Sequence, residues 1–404
     1  MRDYKKQLSW LLVAVIVMAA MAPAAPAYAF SLQDLMGQTN GSNGAGGQSF
    51  VGLIGMLMDN LFGKLANIIP GVPNNNGGDV VTPKQGKEIV GFYAEWWGKD
   101  TSSFNSLKAN ADAIGTIAPF WATLQSDGAL TNRGGDDHAS VVDFAKKNNV
   151  SALLLVNNAK EANGQIPIHT LLSNPDLRTK AIANLEDYIK QYKLDGVNID
   201  FEMVPAEDRD NLTAFMKELS NRLKPQGYLV TIDVFPKQDE SNDVAIAYDY
   251  AQLSQVADKI MIMSYDNHGM WSKAGPIAGI EWVEKNLAYA LKSIPKNKLY
   301  LGIAAYGYDW STKGVNSLEY GALMDLAKQY NAEIKWDEQS KSPHFAYRDA
   351  DGVDHQVWFE NQESLKYKLD LVNRYDIAGV AMWKLGEEDP GYWQVFKDKL
   401  RIKK

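Results

Sequence analysis

Within Asp195-Gly196-Val197-Asn198-Ile199-Asp200-Phe201-Glu202, acidic or amide side chains recur at alternate positions, and Val197, Ile199 and Phe201 stand between them. A period of two is that of a β-strand, so Asn198, Asp200 and Glu202 fall in one row on one face. Crowded carboxylates repel and lose water, which raises the pKa of at least one of them. A carboxyl kept protonated beside a charged partner is what general acid catalysis requires. The competing reading is a solvated edge strand with one polar face. Leu194 and the apolar residues between the acids favour a buried strand and an enzyme.

Such a row needs a scaffold that holds it still. From Ile89 onward, strand-like and helix-like stretches alternate. The strands are expected at 89–93, 116–121, 152–157, 196–202, 229–235, 259–265, 299–305 and 377–384. Helical patterns such as 178–192 and 210–223 lie between them. Eight such units predict an α/β fold, a (β/α)8 TIM barrel. The last interval is much longer than the others and predicts a small α+β insertion between strands seven and eight, over about 311–360, with a hairpin turn at Ala350-Asp351-Gly352. In this architecture the site lies at the C-terminal ends of the strands. Tyr93, Phe120, Trp121, Asn157, Asn158, Asp200, Glu202, Asp233, Tyr265, Asp266, Tyr306 and Trp383 gather at those ends, while the strand starts read as plain aliphatic. The aromatics among them suit a groove for sugars, whose apolar faces stack on flat rings.

The chain begins with a basic Arg2, Lys5 and Lys6, an apolar run from Leu8 to Ala22, and a small-x-small Ala27-Tyr28-Ala29. That pattern predicts a signal peptide over 1–29 and a secreted protein. The net charge of the 404 residues is −8, and loss of the leader with Asp3 makes it about −10. An acidic surface argues against nucleic acid as a partner. Without cysteine, stability must come from a large core, and thiolate metal chemistry is excluded. Histidines 138, 169, 268, 344 and 355 show no close metal-binding spacing, so no metal is expected. Residues 30–86 read as a flexible N-terminal region. Within it, 50–69 has apolar residues at helical spacing and suits docking on the barrel, a second copy, the cell wall or a membrane surface. The catalytic barrel is expected over 87–404.

The motif resembles the D-G-x-x-x-D-x-E signature of glycoside hydrolase family 18, the chitinase-like family. Met263-Ser264-Tyr265-Asp266 resembles its M-x-Y-D segment, and Ala381-Met382-Trp383-Lys384-Leu385-Gly386 its strand-eight tryptophan segment. Leu171–Pro175, Asn198, Val357–Glu360 and Trp383–Pro390 are most similar to the bacterial branch that lyses spore cortex and cell wall. Many chitinases of the family carry Asp where this chain has Asn198.

The resemblance implies that Glu202 is the general acid and then the base. The substrate's own 2-acetamido group is then the nucleophile, so no second carboxylate and no cofactor are needed. It implies that Asp200 orients that acetamide, that Tyr265 donates to its carbonyl with help from Asp266, and that Trp383 floors the reacting sugar. Asn198 would hydrogen-bond Asp200 from below. Tyr93, Trp121, Tyr306 and Glu360 are further candidates for sugar contacts or site support. Asp195 is either a strand-base anchor or a catalytic group. The implied partner is an N-acetylated polysaccharide, peptidoglycan or chitin. An inactive sugar-binding barrel is the alternative class, but such proteins usually lack the glutamate or its aspartate partner, and both are present here.

Overall fold

The computed structural model describes residues 86–404 apart from 97–99, 136, 162–163 and 242–243. The expected leader over 1–29 and the N-terminal region over 30–85 lie outside the described residues. The strands, in chain order, are β1 Glu88–Tyr93, β2 Thr116–Leu124, β3 Leu130–Asn132, β4 Ser151–Asn158, β5 Gly196–Asp200, β6 Leu229–Val234, β7 Lys259–Ile262 and β8 Leu299–Ala304. They continue with β9 Tyr306–Ser311, β10 Gly314–Glu319, β11 Lys335–Asp337, β12 Ser342–Arg348, β13 Asp354–Phe359 and β14 Gly379–Trp383.

Eight of them form a closed parallel ring in the order β1, β2, β4, β5, β6, β7, β8, β14. Closure comes from β1, which pairs in parallel with both β2 and β14. Helices cross between the strands, so the (β/α)8 barrel expected from the alternation is what forms. The short β3 folds back antiparallel on the end of β2.

Alternation sorts the side chains of each barrel strand. On β5 and just past its end, Val197, Ile199 and Phe201 are fully buried among residues of the surrounding helices, such as Leu212, Phe215 and Leu219. Each such side chain contributes roughly 1.5–3 kcal/mol of burial. Asn198 and Asp200 point the other way, into the barrel. Helix Pro175–Tyr192 delivers the chain to β5. Asn174 caps its start by accepting from the backbone N–H groups of Asp176 and Leu177, and Lys193 ends it in a left-handed conformation. At the strand's base, Asp195 Oδ2 accepts from Ala152 N at 2.8 Å. Gly196 is required there, because a Cβ would lie 2.1 Å from the Leu229 carbonyl oxygen. Asp195 therefore anchors the strand, far from the mouth.

The floor of the barrel is not the plain aliphatic layer that the strand starts suggest. Glu88 Oε1 meets the Lys259 ammonium and the Thr116 hydroxyl, both at 2.6 Å, and its Oε2 accepts from Tyr300. Burial pushes the Glu88 carboxyl up, but Lys259 and the two hydroxyls outweigh it and hold it below its ordinary value. This buried network closes the bottom, and the polar residues of the mouth lie at the opposite end.

Between β8 and β14 lies the small α+β insertion. Its five-stranded antiparallel sheet has the order β10-β9-β13-β12-β11. Helix Tyr320–Gln329 covers one face through Leu323 and Ala327, against Phe345, Val357 and Phe359. The sheet starts at Tyr306, straight after β8, and Gly352 at φ 80° turns the β12–β13 hairpin.

Candidate active site

The mouth of the barrel holds a cavity lined by Phe92, Asp200, Glu202, Asp233, Met263, Tyr265, Asp266, Tyr306 and Trp383. Asp200 closes β5 and is buried. Glu202 lies two residues past the strand's last paired residue, in the loop, with its side chain on the open side. Its backbone is nonetheless fixed. Asn158 Oδ1 accepts from Glu202 N at 2.8 Å, and Asn158 Nδ2 donates to Glu202 O at 3.1 Å. The Tyr248 hydroxyl donates to Phe201 O at 2.7 Å.

Asn198 does not bond Asp200. Thr231 Oγ1 donates to Asn198 Oδ1 at 2.6 Å, and Asn198 Nδ2 donates to Asp233 Oδ2 at 2.5 Å. The reason is spacing: two residues along a strand is about 6.6 Å, whereas the next strand is about 4.8 Å away. Asn198 thus ties β5 to β6 and positions Asp233, whose Oδ1 is buried and has no protein partner.

Four carboxyls share this space, and all stand above their ordinary values. Burial is the largest cause for Asp200, followed by the charges of Asp233 and Glu202. Asp233 is raised by burial and Glu202 against the pull of Asn198. Glu202 is raised by burial and then by Asp266, with Lys160 pulling the other way. Protein surrounds most of the Glu202 carboxyl, and its remaining side faces the cavity. Asp266 is raised by burial, although the Tyr306 and Tyr308 hydroxyls oppose this as donors. The cluster therefore holds protons above the pH at which separate carboxyls lose them. It titrates as a unit.

Tyr265 and Asp266 fall past the end of β7, and Asp266 takes a left-handed φ of 60°. The Tyr265 hydroxyl is held protonated by burial and the surrounding carboxylates, so it keeps a proton to donate. Gly302 makes room for its ring: a Cβ there would lie 3.0 Å from Tyr265 Cε1 and 2.3 Å from Ile262 O. Asp266 Oδ1 accepts from the Tyr306 hydroxyl at 2.5 Å. Trp383 is half-buried, with ring centroids 5.6 Å from Phe92, 6.4 Å from Phe120 and 6.5 Å from Trp96.

Three expected contacts are not in this cavity. Trp121 is wholly buried between barrel and helices, stacked on His138 at 3.9 Å, and Tyr93 lies beside it. Both donate to Glu95, at 3.0 and 2.8 Å. Their neighbours Phe120 and Phe92 are the rings that face Trp383; one step along a strand changes the face. Glu360 is buried against Lys368 at 2.7 Å and Ser364, an internal ion pair away from the cleft.

The model of the family described as glycosyl hydrolases family 18 matches residues 88–388. The chain belongs to that family. It is 31% identical over 307 residues to the uncharacterized glycosylase YvbX of Bacillus subtilis, covering 74% of this chain and 88% of that one. It is 28% identical over 319 residues to the cortical fragment-lytic enzyme of Bacillus anthracis, covering 75% and 72%. Among solved structures it is similar to the spore cortex-lytic enzyme SleL of Bacillus cereus, with TM-score 0.72, 26% identity and coverage of 79% and 76%. It is similar also to a chitinase of Chromobacterium violaceum, with TM-score 0.71, 30% identity and coverage of 78% and 98%. As a member of family 18 the protein is a glycosidase.

In this family 18 barrel, the sequence places Asp233 and Asn158 at the strand ends without giving either a role, and Tyr308 is missing from the sequence-based site. Asp233 is the penultimate residue of β6, one strand over from Asp200, and the acid in Thr231-Ile232-Asp233-Val234 is the signal for its role. Tyr308 follows Tyr306 at strand spacing on β9. Asn158, the last residue of β4, gave no signal of its role, which is a grip on the Glu202 backbone. Among the described residues no group of three or more His, Cys, Asp or Glu is arranged to hold a metal ion.

Proposed function

We propose that the protein is a secreted hydrolase that cleaves β-1,4 bonds next to N-acetylglucosamine in peptidoglycan or spore cortex, with retention and with the substrate's acetamido group as nucleophile. One observation carries the reading: of the four clustered carboxyls Glu202 is the exposed one, Asp266 is half-buried, and Asp200 and Asp233 are buried. A retaining scheme with an enzyme nucleophile needs a second ionised carboxylate presented to the sugar. Asp200, kept protonated by burial and by its neighbours, is poorly suited to attack but well suited to bond an acetamide.

In the proposed cycle, Glu202 gives its proton to the glycosidic oxygen as the bond to the anomeric carbon breaks. The acetamido carbonyl closes on that carbon to form an oxazolinium ion. Asp200 accepts from the acetamide N–H, and the Tyr265 hydroxyl donates to the carbonyl oxygen. The Glu202 carboxylate then takes a proton from water, which opens the ring and restores the configuration. Trp383 floors the reacting sugar. Asp266, held by Tyr306, keeps Glu202 protonated at the pH of turnover.

Likeness to the cortical fragment-lytic enzyme and to SleL supports the wall polymer as substrate. Chitin is the second reading, supported by likeness to the Chromobacterium violaceum chitinase. Export rests on the leader-like pattern of residues 1–29. Digestion of purified peptidoglycan and chitin side by side, with mass analysis of the new reducing ends, tests the reading. It requires products ending in N-acetylglucosamine; products ending in N-acetylmuramic acid contradict it.

A further inference from the structure

Arg133 follows β3 and lies on the β2 side of the mouth, with its guanidinium 4.1 Å above the Phe120 ring. Phe120 in turn faces Trp383 and Trp96, at 6.4 and 6.2 Å. The cation is half-buried, and its one acceptor among the described residues is the Thr123 hydroxyl, at 3.4 Å. Among the described residues no carboxylate pairs with it, whereas Arg178, Arg209, Arg222, Arg348 and Arg374 all sit against carboxylates. A guanidinium has five N–H donors and stays charged, so leaving it half-buried with one long bond to a neutral hydroxyl is costly unless an anion arrives. Burial alone lowers its pKa, with no anion offsetting the cost.

Arg133 is joined to the catalytic loop. Thr123 Oγ1 donates to Asn157 Oδ1 at 2.7 Å, and the next residue, Asn158, grips Glu202. Two residues further, Lys160 is exposed, and its charge acts on the Glu202 carboxyl. The opposite side of the mouth holds Asp233 and Asp266. The cleft is thus polarised in a protein whose net charge is −8.

We propose that Arg133, over the Phe120 ring, is an anion-recognising corner that takes a carboxylate carried by the glycan, so that the preferred substrate is an acidic N-acetylated chain and not neutral chitin. A guanidinium presents a planar fork that matches a carboxylate, and a ring beneath it orients the fork. In peptidoglycan that carboxylate comes from the lactyl ether of N-acetylmuramic acid or from the stem peptide. The inference rests on the family 18 cleavage proposed above.

The test compares the full chain and its Arg133→Ala and Arg133→Lys forms on four glycans of matched length. These are peptidoglycan strands with stem peptides, strands with the peptides removed, strands with all carboxyls amidated, and chito-oligosaccharides. Arg133→Ala is expected to lower kcat/KM at least ten-fold on a carboxylate-bearing strand and less than three-fold on the amidated and neutral chains. Arg133→Lys should recover part of the loss, and added salt should erode the preference. A loss on peptide-free strands identifies the lactyl carboxylate, and a loss confined to peptide-bearing strands identifies a stem carboxylate; both support the corner. An equal loss on neutral chains, or none on any, overturns it. Equilibrium binding of the same glycans to Glu202→Gln protein, with and without Arg133→Ala, gives the same comparison without turnover. A carboxylate preference there without hydrolysis by the wild type would refute the cleavage reading alone.

Discussion

Asn158 holds Glu202 by its backbone on both sides, accepting from its N–H at 2.8 Å and donating to its carbonyl at 3.1 Å. The grip compensates for the end of β5 at Asp200: the residue proposed to move the proton has no strand of its own. Its main chain is fixed while its carboxyl stays free to turn between leaving oxygen and water.

Among the described residues nothing accepts from the Tyr265 hydroxyl, and its phenol is held protonated. Tyr265→Phe should therefore leave the urea midpoint nearly unchanged and lower kcat roughly 10²-fold, the loss typical of one donor to a developing charge. Turnover on a soluble N-acetylated oligosaccharide, with urea unfolding alongside, checks it.

Tyr306→Phe removes the hydroxyl that lowers the Asp266 pKa, so the Asp266 carboxyl moves up further and carries less charge at a given pH. Glu202, raised first by burial and then by Asp266, moves down in response. The basic limb of the kcat/KM profile reports loss of the acid's proton and should shift to lower pH. A limb that stays in place would separate Asp266 from control of the acid.

Asp233 is raised by burial and by Glu202. A carboxyl whose folded pKa is raised favours the fold below its unfolded value, and that contribution is lost as pH rises through the folded value. Asp233→Asn should accordingly gain Tm over wild type as pH rises from the ordinary carboxylate range toward neutrality and beyond, and the gain should vanish in acid. Calorimetry across that range tests the sign.

Glu360→Ala would strand the Lys368 ammonium, which is buried with Glu360 as its ion-pair partner. Breaking a buried pair in this way typically costs about 3–5 kcal/mol. Urea unfolding should show a loss of that order; a loss under 1 kcal/mol would restore the idea of a surface contact for sugar.

The opening motif was legible because β5 alternates acid or amide with aliphatic, and one face needs helices while the other needs the cleft. The closed barrel and its insertion followed from strand spacing alone. Phe92 and Phe120 were not separable from Tyr93 and Trp121, because β1 and β2 are buried on both faces and carry rings in adjacent positions. Polarity gives no parity there, and β2 also shifts register between Phe120 and Ala122. The Glu88–Lys259 floor and the Glu360–Lys368 pair were hidden for another reason. A charge reads as exposed until its partner, 171 residues away in the first case, is known to lie beside it. Asn198 was assigned to the residue nearest in sequence, whereas in a sheet the neighbouring strand is nearer in space.

The proposed reaction turns on one proton carried by Glu202. The most direct measurement is release of reducing ends from peptidoglycan strands by Glu202→Gln, with strand binding measured on the same protein. The expected rate is at least about 10³-fold below wild type with binding retained, in keeping with general acid catalysis. Activity within ten-fold of wild type would show that another group delivers the proton.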